Sequence, residues 1–321
     1  MIDLSLRCNS VWCRQLSGFF GMLAATATVI PSPVASHEND PENSNEIVVT
    51  SRKVDLLSES EIKDVASEFV DTLTVVSRGQ GLPRYQPEVY CPAVIGMSEA
   101  VNSQIEARMK QVAQAAEVKP AGISCRTSAL VIFVDDKKTF LDAFREAYPV
   151  YFRSLKDRHW KLQDEEGPAI AWHLAQLLDE QGNPIQRDQN GVAWVSSYTH
   201  ASRMRTMTRS VMAMSVTIVE RDALIGLTAT QIGDYAFMRS MSDASPASLE
   251  RTTAPTILTV LSTEMGEAAP ASLTDWDLAY VKARYEGDWG AEGHKSGVEI
   301  RTAVQKTATS RGNDASSDWA E

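Results

Sequence analysis

The stretch Ala129-Leu130-Val131-Ile132-Phe133-Val134 is the clearest predicted strand of this 321-residue chain. Its apolar residues run without alternation, which indicates a strand that is buried on both faces of its sheet. Helical patterns lie on either side of it. Ser98 is placed to cap a helix before the strand, and Asp135 or Asp136 to cap a helix after it. The stretch is therefore expected to be a central strand packed by helices.

Further from this strand, the spacing of apolar residues predicts helices and strands in mixed order. We expect helices over residues 58–73, 228–242 and after Thr274, and strands over 169–178 and 211–219, with residues 192–199 as a hairpin return strand to the first of these. The predicted fold class is α+β, with a central mixed sheet of about four to five strands packed by four to six helices. One globular domain is expected over residues 58–306, followed by a disordered tail over 307–321.

The first 36 residues resemble a removable secretion signal. Arg7 and Arg14 form a basic flank, residues 16–30 carry no charge, and Val34-Ala35-Ser36 offers small residues for cleavage. A retained N-terminal anchor is the alternative. After cleavage no transmembrane span is expected, so the mature protein is predicted to be periplasmic or secreted.

Residues 37–57 read as a disordered linker that contains the segment Glu46-Ile47-Val48-Val49-Thr50-Ser51-Arg52. This segment resembles the TonB box of outer-membrane receptors, a short stretch that is recognised by adding a strand to a partner's sheet. The resemblance implies a TonB-like partner that binds residues 46–52 and pairs with Ile47, Val48, Val49 and Thr50. The alternative is an ordinary N-terminal strand or tail.

The net charge bears on the class of partner, and the cysteine content bears on whether a disulfide forms. The chain carries a formal net charge of −11, which disfavours nucleic acid as a partner. Once the predicted signal is removed, Cys91 and Cys125 are the only cysteines. In an oxidising compartment they are expected to form a structural disulfide, and their spacing is unlike that of a Cys-x-x-Cys redox pair.

The chain resembles a group of uncharacterised exported proteins of alphaproteobacteria in a set of motifs and in the order in which they occur. The resemblance covers roughly residues 47–290 and implies export without implying an activity. The motifs are Cys91-Pro92, Arg108, Cys125, Asp135-Asp136, Ala171-Trp172-His173, Gly226-Leu227, Gln231, Asp234-Tyr235-Ala236, Met238-Arg239, Pro255-Thr256-Ile257-Leu258 and Leu273-Thr274-Asp275-Trp276-Asp277.

The order helix, edge strand, hairpin and buried helix also resembles, more distantly, that of zincin-type metallopeptidases. In zincins the buried helix carries His-Glu-x-x-His, which binds zinc. Residues 227–235, at the corresponding position here, contain neither histidine nor glutamate. If the fold is zincin-like, the resemblance therefore implies a protein without the metal chemistry, and we expect no metal and no cofactor.

No complete catalytic motif is present, so candidate site residues are scattered. His173, Asp234, Tyr235 and Arg239 form a possible ligand pocket, with ordinary packing as the alternative. Arg203, Arg205 and Arg209 are a possible anion-binding cluster or a solvated face. Asp275 and Asp277 could be a pair of functional carboxylates, but the dipole of the helix that follows Thr274 explains acidic residues at this position.

Two function classes stay open. The first is a non-enzymatic binding or interaction module for an unknown envelope protein or small ligand. The second is a periplasmic hydrolase of unfamiliar type, with its site assembled from distant residues such as His173, Asp234, Tyr235 and Arg239.

Overall fold

A computed structural model describes residues 58–74, 82–152, 155, 166–179, 181–185, 208–242, 244, 246–249, 252–262, 269–286 and 293–317. The predicted signal (1–36), the linker (37–57) with Ile47 to Thr50, and the predicted return strand (192–199) lie outside these residues. The statements below concern the described residues.

The α+β fold class is confirmed. Six helices have more than ten residues, and four strands form one mixed sheet in the described part of the chain. The helices are α1 (Glu59–Leu73), α2 (Glu99–Ala115), α3 (Lys137–Ala147), α4 (Ala229–Met241), α5 (Asp275–Glu286) and α6 (Gly293–Ser317), and the strands are β1 (Pro92–Ile95), β2 (Ala129–Val134), β3 (Ala169–Leu178) and β4 (Arg209–Glu220).

The sheet order is β1-β2-β4-β3, so β2 is an inner strand as its apolar run predicted. β1 and β4 both pair with β2 in parallel, and β3 pairs with β4 antiparallel, with an irregularity between Leu174 and Ala175. Short 3₁₀ turns at Pro149–Phe152, Arg221–Leu224 and Ile257–Thr259 complete the connections.

Local signals account for where the helices begin. α1 starts with a capping box in which the Ser58 side chain accepts from the Glu61 backbone N–H and the Glu61 side chain accepts from Ser58. Thr228 and Gln231 form the same arrangement at α4, and the Asp136 side chain caps α3. These caps satisfy backbone N–H groups that the first helical turn leaves without intrahelical partners.

The sheet separates two apolar clusters. The larger lies on the face covered by α1, α2, α4, α5 and α6, and α4 is buried along nearly its whole length. The smaller lies on the opposite face, where α3 and the turn at Pro149–Phe152 cover Trp172 and Val216. No helix in the described residues is long and apolar enough to cross a bilayer.

The C-terminal helix differs from expectation, because α6 continues to Ser317 through most of the segment we expected to be a disordered tail. Val304 and Ala308 are buried. Gln305 Nε2 donates to the Lys63 carbonyl oxygen of α1, and Arg301 forms an ion pair with Asp71. Contact with α1 stabilises a helix whose polar composition alone does not predict one.

Candidate functional site

A layer of polar side chains lies between the sheet and the C-terminal half of α4. Ser215 and Thr217 project from β4 on the face opposite to the buried Val216 and Ile218, because side chains alternate along a strand. His173 of β3 is the register partner of Ser215. With Ser240 of α4 and the buried Tyr85 and Tyr90, these residues form a set that we call the α4 polar layer: Tyr85, Tyr90, His173, Ser215, Thr217 and Ser240.

The two tyrosines of the layer tie the segment before β1 to the sheet and to α4. The Tyr85 hydroxyl lies 2.8 Å from Ser215 Oγ and 3.0 Å from the Ser128 carbonyl oxygen. The Tyr90 hydroxyl lies 3.2 Å from Ser240 Oγ, and the two rings meet edge to face. Burial raises the pKa of both phenols well above the ordinary tyrosine value. Both therefore stay protonated at neutral pH and act as hydrogen-bonding groups.

His173 meets α4 at a backbone atom, since its Nε2 lies 3.1 Å from the Ser240 carbonyl oxygen. The Ser240 hydroxyl donates instead to the Phe237 carbonyl oxygen of its own helix, at 2.6 Å. A serine nucleophile requires its hydroxyl to be hydrogen-bonded to the base. The two residues are neighbours in this layer, but they do not form that pair.

Asp234 points away from the layer, toward α2. Its carboxylate accepts from Arg108 Nε at 2.6 Å and from Arg108 Nη2 at 3.0 Å. It also accepts from Ser272 Oγ at 2.8 Å and from the Leu273 backbone N–H at 2.7 Å. The Asp234 side chain is fully buried, whereas 12% of the Arg108 side chain is exposed. This network joins α2, α4 and the segment that precedes α5.

The remaining members of the predicted pocket, Tyr235 and Arg239, are both buried in α4, at 5% and 1% exposed. Arg239 Nη1 donates to the carbonyl oxygen of Ala244, just beyond the end of the helix. Of the predicted pocket, His173 thus contacts Ser240, the residue after Arg239. Asp234 is bound by Arg108 in a separate network.

Asp277 was expected only to interact with the dipole of the helix that follows Thr274, but in the structure it also bonds to a distant segment of the chain. It completes a capping box with Thr274, and it also accepts from Thr256 Oγ1 at 2.7 Å and from the Ile257 backbone N–H at 2.9 Å. Burial raises the pKa of Asp277 to about 6, although its hydrogen bonds act in the opposite direction. The carboxyl group joins the start of α5 to the Ile257–Thr259 turn.

The possible anion cluster is described only at Arg209, because Arg203 and Arg205 lie outside the described residues. Arg209 begins β4, opposite Leu178 of β3. The guanidinium of Arg209 lies close to Gly182, in the turn after β3: a Cβ atom at Gly182 would be 3.1 Å from Arg209 Nη2. Arg209 is thus half-buried beside this turn.

The disulfide prediction is confirmed: Cys91 and Cys125 are bonded, with their Cα atoms 6.0 Å apart. Ser128 also holds the backbone next to the disulfide, because its hydroxyl accepts from the Cys91 backbone N–H and donates to the Val89 carbonyl oxygen. The disulfide and these bonds anchor the chain that carries Tyr85 and Tyr90.

Four members of the α4 polar layer were not predicted from the sequence: Tyr85, Tyr90, Ser215 and Ser240. The sequence contained one signal for this layer, because the hydroxyl residues at positions 215 and 217 share one face of the strand predicted over residues 211–219. A buried hydroxyl usually has a hydrogen-bond partner. Ser215 has one in Tyr85, whereas Thr217 Oγ1 is buried without one in the described part of the chain.

Within the described residues no group of three or more His, Cys, Asp or Glu side chains is placed to hold a metal ion. Comparison of the chain with protein-family models, with curated proteins and with solved structures found no match in any of the three.

Proposed function

We propose that this chain is an exported, non-enzymatic binding or interaction module of the bacterial envelope, acting in the periplasm or after secretion. The signal-like N-terminus and the resemblance to exported alphaproteobacterial proteins motivate the location. The Cys91–Cys125 disulfide supports it, because such bonds persist in oxidising compartments. The acidic net charge of −11 suits a soluble partner or ligand better than nucleic acid.

The observation that carries the non-enzymatic part is that the chemically capable groups around α4 are held in structural hydrogen bonds. Asp234 is bound by Arg108 and Ser272, and the Ser240 hydroxyl donates within its own helix. His173 contacts a backbone carbonyl oxygen. A general base or nucleophile must reach a substrate atom, and these contacts hold the groups elsewhere.

A metal-less, zincin-like pseudoenzyme is the form of this proposal that agrees best with the topology. β3 is antiparallel beside the inner strand β4, and the buried helix α4 follows β4 along the chain. The resemblance rests on the order helix, edge strand, hairpin and buried helix; β3 is the edge strand and α4 the buried helix, and the predicted return strand of the hairpin, residues 192–199, lies outside the described residues. The α4 sequence ATQIGDYAFMRSM offers neither histidine nor glutamate as a zinc ligand.

The partner in this proposal is an envelope protein or a small ligand, with residues 46–52 as the segment that binds a TonB-like protein. Four residues of high β propensity, Ile47 to Thr50, suit binding by strand addition. Because this segment precedes α1 in the chain, removing it leaves every described helix and strand intact in sequence.

The test is capture from the periplasm by the full-length protein and by a variant that lacks residues 46–52. A control variant carries the same seven residues in scrambled order. We expect the protein in the periplasmic or culture fraction with its disulfide formed, and we expect one envelope protein that is captured by the wild type alone. Cytoplasmic protein with two free thiols would contradict export. Equal capture by all three variants would contradict the role of residues 46–52.

One observation favours the second candidate, a periplasmic hydrolase. His173 Nε2 lies 3.1 Å from the Ser240 carbonyl oxygen, so a histidine and a serine are neighbours in the α4 polar layer. An activated-ester substrate panel tests this. Activity that is lost in Ser240→Ala and retained in the control Ser215→Ala would establish the hydrolase and overturn the binding module.

A further inference from the structure

We propose that the loop over residues 119–126, which we call the Ile123 loop, docks on an envelope protein by inserting Ile123 into an apolar pocket with an acidic rim. The proposal rests on the proposed binding function, and it names the surface and the chemistry of the partner. Ile123 is 100% exposed, whereas the other exposed large apolar side chains in the described residues are 39–82% exposed. The loop precedes β2 and therefore lies at the amino end of the parallel strands.

The Ile123 loop is anchored on both sides of its exposed tip. After the tip, Cys125 is bonded to Cys91, with their Cα atoms 6.0 Å apart. Before the tip, the Ala121 backbone N–H donates to the Tyr90 carbonyl oxygen at 2.8 Å. Three residues are left between these anchors, so the backbone presents Ile123 in a fixed position. A side chain that is already positioned loses little conformational freedom when it binds.

The backbone of this region adopts a conformation that residues other than glycine rarely take. Three such residues have positive φ in the described part of the chain, and they are Glu88 (+62°), Glu117 (+61°) and Ser124 (+63°). Glu117 directly precedes the loop, and the Glu88 backbone N–H donates to the Lys119 carbonyl oxygen. Ser124 follows Ile123 within the turn at the tip, where positive φ favours glycine or asparagine. Strained backbone of this kind concentrates at binding and catalytic sites.

Basic side chains flank the exposed isoleucine in a protein that is acidic overall. The loop contains Lys119 and Arg126 and no acidic residue, whereas the whole chain carries a formal net charge of −11. Both basic residues are exposed. The acidic neighbours are Glu88 and Glu117, and the Glu117 carboxylate is paired with Lys282 at 3.3 Å. Acidic side chains around the partner's pocket would complement the two basic residues and fix the orientation of docking.

A protein pocket fits this loop better than a lipid bilayer does. Segments that bind in the membrane interface bury a face of several apolar side chains, and the loop has one large apolar residue. A pocket, in contrast, is filled by a single side chain held in a fixed position. Complete burial of Ile123 would lower the dissociation constant by about 10- to 100-fold.

The test is photo-cross-linking in cells that export the full chain with p-benzoylphenylalanine in place of Ile123. Matched controls carry the same group in place of Ile225 or Val298, which are 82% and 46% exposed. Ile225 follows β4 and therefore lies at the other end of the parallel strands. We expect one protein adduct at position 123 and none at the controls. The cross-linked segment of the partner should be apolar and lie among acidic residues.

Charge reversal tests the acidic rim. Lys119→Glu combined with Arg126→Glu should lower the yield of the adduct at least about fivefold. The control reverses two exposed lysines elsewhere, Lys138→Glu with Lys306→Glu, and should leave the yield unchanged. Equal loss in both double variants would overturn the specific role of the loop charges.

Binding of the purified, cross-linked partner measures the contribution of the isoleucine. Ile123→Ser should weaken this binding at least about 10-fold, whereas Ile225→Ser should not change it. The proposal is overturned if Ile123→Ser binds as the wild type does, if position 123 gives no protein adduct, or if the controls give the same adduct. An adduct with lipid or with a second copy of this chain also overturns it. Capture that depends on residues 46–52 is measured separately, so failure of this loop and failure of the proposed function are distinguishable.

Discussion

Removal of the Asp234 carboxylate should destabilise the fold strongly. Asp234 accepts four hydrogen bonds, two from Arg108 and one each from Ser272 and the Leu273 backbone N–H, and its side chain is fully buried. Asp234→Asn keeps the shape of the side chain but leaves the Arg108 charge largely buried without its counter-ion. Breaking a buried ion pair in this way costs about 3–5 kcal/mol.

The assay is urea unfolding followed by circular dichroism, for Asp234→Asn, Arg108→Met and the double variant. The double variant should lose less than the sum of the two single losses, by at least about 1.5 kcal/mol, because it leaves no buried charge unpaired. Asp71→Asn is the control. It breaks the Arg301 pair, whose side chains are 33% and 60% exposed, and should cost less than about 1 kcal/mol.

Two results would refute this reasoning. Loss of less than about 1 kcal/mol in both single variants would show that the network contributes little to stability. Strictly additive losses would show that the two side chains are not coupled. If the Asp234→Asn protein is stable but has lost ligand binding, Asp234 has the ligand-binding role predicted from the sequence.

Three further predictions concern the disulfide, Asp277 and Gly96. Replacing Cys91 and Cys125 together by alanine should lower the unfolding free energy by about 3–4 kcal/mol, since the bond closes a loop across 34 residues; an unchanged urea midpoint would contradict this. For Asp277, the pKa raised to about 6 means that the folded state binds the proton more tightly than the unfolded state. Its contribution to stability should therefore be complete below about pH 4 and fall by roughly 3 kcal/mol as the pH rises past 6, seen as a pH-dependent difference from Asp277→Asn. Gly96→Ala should cost at least about 3 kcal/mol in thermal unfolding, because φ is +104° and the new Cβ would lie 2.1 Å from a carbonyl oxygen of β2, whereas the control Gly122→Ala has open space and should change little.

Features that depend on the local sequence were predicted closely. The strand over 169–178 has the predicted bounds, and the Ser58–Glu61 capping box begins α1. The apolar run of β2 indicated an inner strand because burial on both faces needs no polar alternation. The disulfide followed from residue type and expected compartment.

The candidate site was much less predictable, because its contacts join residues far apart in the chain. Arg108 and Asp234 are separated by 126 positions, and Tyr90 and Ser240 by 150. Propensity and periodicity report on neighbours within a few turns, so they carry no information on which polar groups pack together. Asp234 was assigned to a pocket with His173 for this reason, and the structure places the two in different networks.

The sequence by itself determined the α+β class, the ends of most helices and strands, the inner position of β2 and the cysteine pair, because each depends on local spacing, capping or composition. Only the tertiary structure decided the sheet order β1-β2-β4-β3, the extension of α6 along α1, and the partners of Asp234, Asp277 and Arg239. Those features depend on which surfaces bury one another, since a buried polar group takes whatever donor or acceptor the packing brings to it.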